Sequence, residues 1–190
     1  MLRYILMVGL GAVIFLIVMG VLREFVGGGA TALIYAVILI ASIVVIARNL
    51  MSNRKVKDAT PQERARALAF EPEPGRGVVY VMRTQFIGMA VGVNLIVDGV
   101  EVAQIKSPRF TRFSVSPGAH RIAAYVGTNK KPADGEGFQF SAEAGGVSFI
   151  FCEVEPQMIG AIVKFRQITL EQARKDLQKA RMVSPDVAAV

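Results

Sequence analysis

The chain has one cysteine and one histidine in 190 residues. A lone cysteine, Cys152, excludes an intrachain disulfide. It stands between Phe151 and Glu153 in an apolar run, where cysteine behaves as a small core residue. No basic neighbour in sequence activates it as a nucleophile. A lone histidine, His120, excludes metal sites built on paired histidines. Carboxylates are not clustered: Asp134 and Glu136 flank Gly135 without further acidic company, which is little for calcium or acid–base work. No serine sits in a nucleophile-elbow pattern. Gly127, Gly135 and Gly137 lack the strand–loop–helix setting of a phosphate loop. These absences predict a chain without cofactor, metal or catalytic residues, and so not an enzyme.

A concentrated basic segment is also missing. The formal net charge is +7, spread as +1 over residues 1–47, +2 over 48–75, +3 over 76–167 and +1 over 168–190. No segment is basic enough for nucleic acid. Lys106, Arg109, Arg112 and Arg121 form the best basic patch, read first as solvated charge and second as a headgroup-binding site.

Uncharged runs, by contrast, are long. Tyr4 to Leu22 and Ala30 to Ala47 carry no charge, and each has about the length needed to cross ~30 Å of hydrocarbon. Only Arg23, Glu24, Phe25, Val26 and three glycines separate them. The sequence therefore predicts an N-terminal two-helix transmembrane hairpin over residues 1–48, in a bacterial inner membrane. A cleaved signal peptide is the weaker reading, since the first run exceeds the ~7–15 residues of a signal core. Basic residues crowd the flank after Ala47: Arg48, Arg54, Lys55, Lys57, Arg64 and Arg66. The positive-inside rule then places both termini in the cytoplasm. Arg54, Lys55, Lys57, Arg64 and Arg66 are candidate contacts to lipid headgroups.

Residues 49–76 read as a linker. Thr60-Pro61-Gln62-Glu63 is a capping box with proline at the first helical position, starting a short helix to Leu68 or Ala69. Glu71-Pro72-Glu73-Pro74-Gly75 stops it.

From residue 77 to 167 the hydrophobic period becomes two. Val78 to Arg83 is nearly all apolar and predicts a central strand. Val91 to Val97 alternates, then Asp98-Gly99 turns the chain into Val100-Glu101-Val102, a hairpin signal. Phe110 to Val115 and Ala119 to Val126 flank a Ser116-Pro117-Gly118 turn. Further strands hold Phe138 and Phe140, then Val147 to Val154, then Ile159 to Phe165. Seven to eight strands at this spacing predict a mainly-β antiparallel sandwich. Thr169-Leu170-Glu171-Gln172 caps a C-terminal amphipathic helix over 168–183, with Ala173, Leu177 and Ala180 on its apolar stripe. That stripe packs on the sandwich or lies on a bilayer. Residues 184–190 read as a flexible tail.

The motifs Val79-Tyr80-Val81-x-Arg83, Val97-Asp98-Gly99-x-x-Val102 and Phe113-x-Val115-x-Pro117-Gly118-x-His120 resemble an uncharacterised bacterial family of small envelope proteins, many of them lipoproteins. The Asp-Gly hairpin and Pro-Gly-x-His turn are also similar to PEGA-type domains. The resemblance covers about residues 76–166 and implies a sandwich-like fold with no established activity. It also implies a periplasmic β domain, the alternative to a cytoplasmic one. No lipobox cysteine is present near the N-terminus.

Two classes of function follow. The first is a membrane-anchored, non-catalytic interaction module in contact with membrane lipid and an unknown protein partner, with homo-oligomerisation left open. Its expected surface is the 127–137 loop and the edge strand beside it, with Asn129, Lys130, Lys131 and Asp134 as contact residues. The alternative is a small-ligand or enzymatic domain with a pocket near His120 and the 127–137 loop.

Overall fold

The computed structural model describes residues 13, 15–21, 24, 28–51, 53–86, 88–127, 131–133, 135–157 and 161–190. The chain divides into two units, Met1–Ala47 and Arg48–Val190. In the first, residues 15–21 are helical, and Phe15 meets Tyr35 edge to face at 6.0 Å. Helix α1, Gly28–Met51, begins in this unit.

The transmembrane hairpin is corrected by the structure. Among the described residues, no helix is long and apolar enough to cross a membrane. The 4–22 run falls mostly outside the described residues, and its described residues, 13 and 15–21, are helical. The multi-pass arrangement and the two-span inner-membrane location are not sustained, nor is either placement of the β domain relative to such spans.

The second unit is a two-sheet sandwich. Its strands are β1 Gly77–Arg83, β2 Val93–Val97, β3 Val100–Ile105, β4 Arg109–Val115 and β5 Gly118–Val126. Then come β6 Phe138–Ala142, β7 Val147–Pro156, β8 Ala161–Ile168 and the two-residue β9 Arg181–Met182. Helix α2, Pro61–Leu68, precedes them, and α3, Leu170–Lys179, lies between β8 and β9. One sheet runs β8-β7-β1-β4-β9 and the other β3-β2-β5-β6. The expected all-antiparallel pairing is corrected at two places: β1 runs parallel to β7, and β4 parallel to β9. Both pairs join segments distant in sequence, where no hairpin dictates direction.

β1 explains the architecture. All seven of its residues are buried. Val79 and Val81 point into the core between the sheets, with Leu95, Phe113 and Ile150. Val78, Tyr80 and Met82 point the other way, into a second core with Ala67 of α2 and Ala173 and Leu177 of α3. A strand covered on both faces must be apolar at every position, which is why its sequence does not alternate. The Tyr80 ring stacks on Phe149 at 5.1 Å, and its hydroxyl donates to the Ala67 carbonyl oxygen at 2.5 Å. The apolar stripe of α3 is therefore spent on the sheet, not on a bilayer. Both capping boxes form, at Thr60 with Glu63 and at Thr169 with Gln172.

The C-terminal tail is hydrogen-bonded to the sandwich. Ser114 N donates to Ala188 O at 2.9 Å, Val190 N to Ser114 O at 2.9 Å and Asp186 N to Val102 O at 2.8 Å. The last of these covers the outer edge of β3. The outer edge of β9 is covered by the linker, through Ala59 N to Met182 O at 3.0 Å and Ser184 N to Lys57 O at 2.9 Å.

Candidate interaction surfaces

The residues between β1 and β2 form a loop over 84–92 that is held from three sides. From β1, the fully buried Arg83 donates through Nη2 to Gly88 O and through Nη1 to Val91 O, both at 2.8 Å. Burial pushes this guanidinium below its ordinary pKa, while the neighbouring Cys152 pulls it up. From the linker, Asn53 brackets the loop, donating to Ala90 O at 3.0 Å and accepting from Gly92 N at 2.7 Å. A Cβ at Gly92 would lie 2.7 Å from Asn53 Oδ1 and 2.6 Å from Gln104 Cδ, so this bracket needs glycine. From β7, the Gln85 amide exchanges two hydrogen bonds with the backbone of Val154, at 2.7 and 2.8 Å. With its polar groups fixed beneath, the loop displays Phe86 at 73% exposure and Met89 at 42%. A large aromatic side chain exposed beside three such attachments is unlike the usual slack polar turn.

His120 lies at the Asp98-Gly99 hairpin. It is 8% exposed, with Nδ1 2.6 Å from Asp98 Oδ2 and Nε2 2.7 Å from Ser116 O. Its ring packs on Phe140 at 5.5 Å. The second oxygen of Asp98 accepts from Arg121 N at 2.9 Å. Both ring nitrogens are committed, so the side chain ties the hairpin to β5 and offers no free nitrogen to a ligand. Cys152 is fully buried, and burial pushes its thiol up to about 12, against the opposing pull of Arg83. A thiol so rarely ionised is a poor nucleophile. Among the described residues, no group of three or more histidine, cysteine or carboxylate side chains could hold a metal ion.

Of the expected loop contacts, Asn129, Lys130 and Asp134 lie outside the described residues. Lys131 is described, and it reaches Glu101 at 3.4 Å and the Tyr125 ring at 5.7 Å. Glu101 also takes Arg54 at 3.0 Å and the Tyr125 hydroxyl at 3.2 Å. The structure thus brings Arg54 and Lys131 to one carboxylate. Lys131 and Glu101 border a cleft of about 390 Å³ that also holds Arg121 and Glu136. Desolvation first, then the Glu101 charge, raises the Tyr125 pKa, so the phenol stays a donor.

The expected headgroup contacts differ in what they touch. Arg54 is shared between Glu101 and Asp186, the latter at 2.8 Å. Arg64 donates to Gln178 O at 2.6 Å and Ala180 O at 3.2 Å, capping the end of α3. Lys55, Lys57 and Arg66 are exposed. The wider basic patch is likewise paired: Arg109 with Asp58 at 2.6 Å, Arg112 with Glu73 at 2.7 Å, and Arg121 with Gly135 O.

Sequence reasoning passed over residues 84–92. The available signal was a cation ending an otherwise apolar strand, followed by Phe86, Ile87 and Met89 where polar turn residues are usual. The chain matches no family model, no curated protein and no solved structure.

Proposed function

We propose that the sandwich is a non-catalytic interaction module that presents the 84–92 loop to a protein partner offering an apolar pocket. The observation that carries this reading is the exposure of Phe86 and Met89 above a fully buried Arg83. Aromatic side chains that enter a partner's pocket supply much of the binding energy of interfaces. A pre-ordered loop avoids the entropy cost of fixing that side chain at the moment of binding. The enzymatic alternative has less support, because His120 and Cys152 are both buried and engaged in the fold.

The test is the double substitution Phe86→Ser with Met89→Ser. Both side chains are exposed, so the thermal midpoint should stay within a few degrees of wild type. A partner that co-purifies stoichiometrically with the wild-type chain should be lost from the variant. Retention of that partner at the same stoichiometry would remove the loop from the interface.

A further inference from the structure

The edges of the sandwich are treated unequally. The outer edge of β3 is covered by the tail at Asp186, and that of β9 by the linker at 57–59. β8 ends its sheet beside β7, and among the described residues no strand pairs with its outer side. It is also long, eight residues, with Ile162 at 49% exposure. Over 162–168, an edge with no strand paired to it among the described residues is a template for another strand.

The two faces of β8 differ. Ala161, Val163 and Phe165 turn toward the core between the sheets. With Ala124 and Phe138 they line an open cleft of about 520 Å³ along this side of the sandwich. Ile162, Lys164 and Arg166 turn to solvent. Lys164 meets Glu155 of β7 at 2.8 Å, and Arg166 lies over the Phe151 ring at 4.5 Å. Both attachments lie on the β7 side, and an exposed ion pair of this kind is weak.

We propose that β8 accepts an extended peptide as an added strand, in which apolar residues alternate with acidic ones. Alternation is required because successive side chains of a strand point to opposite faces. The apolar set would enter the cleft beside Val163 and Phe165. The acidic set would lie across from Lys164 and Arg166. Opposite charges in cross-strand positions stabilise pairing, and like charges oppose it. The same rule opposes a second copy of this chain in the antiparallel registers centred on Lys164 or Phe165, which set like charges across from each other. This surface is separate from the 84–92 loop, and the proposal stands without the reading of that loop.

The experiment titrates full-length protein into fluorescein-labelled Glu-Val-Glu-Val-Glu-Val, with Lys-Val-Lys-Val-Lys-Val as control, and follows anisotropy. The acidic peptide should bind at least tenfold tighter than the basic one. Lys164→Glu combined with Arg166→Glu should invert that preference while the circular-dichroism melt shows the fold intact. Should the double variant fail to fold, Arg166→Gln alone should still weaken the acidic peptide severalfold. On binding, amides within 162–167 should gain protection from hydrogen exchange. Equal binding of both peptides, or protection elsewhere than β8, overturns the proposal. So does a concentration-dependent dimer of the wild type that the charge reversal abolishes.

Discussion

The Arg83 guanidinium donates to the Gly88 carbonyl oxygen at 2.8 Å, five residues along the same chain. Gly88 has φ +68°, and a Cβ placed there would lie 3.3 Å from Arg83 Nη2. The turn therefore needs glycine for its backbone, and the cation needs the turn for its partners. Substituting Arg83→Met keeps an unbranched side chain of similar length but removes the guanidinium donor from the Val91 carbonyl, while Gly88 O keeps its bond from Val91 N. A fully buried orphan costs about 1–3 kcal/mol, and a part-buried one such as Val91 O costs less. Urea unfolding should show that loss, and the loop amides of Val91 and Gly92 should exchange faster. An unchanged midpoint would show that the loop stands without Arg83.

The hairpin at Asp98-Gly99 makes a second comparison. Asp98 has φ 49° and Gly99 φ 84°, as a tight two-residue turn requires. Gly99→Val puts a β-branched residue in left-handed backbone, a strain of order 1–3 kcal/mol. No neighbouring atom obstructs the site, so the strain is conformational. His120→Ala removes the tie to Asp98 and Ser116. It should lower the midpoint yet leave a folded domain. A silent Gly99→Val beside an unfolded His120→Ala would contradict this account of the turn.

Glu73 gives the pH response. Its pKa is lowered, first by the hydrogen bond from Ser114 and then by Arg112, with burial opposing. A carboxyl whose folded pKa lies below its unfolded value of about 4.5 stabilises the fold above that value. The contribution fades as pH falls through the lower, folded pKa. Glu73→Gln should therefore destabilise at neutral pH and flatten the acid limb of the stability curve below about pH 4.5. Parallel acid limbs for variant and wild type would deny Glu73 that role.

Cys152 should resist alkylation in the folded protein. Its thiol is buried and pushed up to about 12. With iodoacetamide at pH 8, labelling should follow the unfolding rate, and rise to that of a free thiol in 6 M guanidinium. Rapid labelling under native conditions would place the residue outside the core.

Local signals in the sequence translated directly into structure. The Thr60 and Thr169 capping boxes, the Asp98-Gly99 turn and the unbroken apolar run of β1 each depend on neighbours in the chain. Strand direction did not, because β1 meets β7 only after five intervening strands. The tail looked slack by composition, yet Ala188 and Val190 bond to Ser114 across the sheet. Apolar content alone predicted a hairpin in the membrane, and among the described residues no helix is long and apolar enough to cross one. The candidate site was hidden for a related reason. β1 at Arg83, the linker at Asn53 and β7 at Val154 all hold the 84–92 loop, and only their convergence distinguishes it from an ordinary turn.

The central claim is that Phe86 projects into a partner. A photo-crosslinking benzoylphenylalanine placed at position 86 of the full chain tests it in living cells, with the same group at Val100 as control. Val100 is 41% exposed, on the Asp98-Gly99 hairpin. The account predicts a discrete crosslinked adduct from position 86, absent from position 100 and reduced when Arg83→Met loosens the loop. Equal, diffuse crosslinking from both positions, or none from 86, would contradict it.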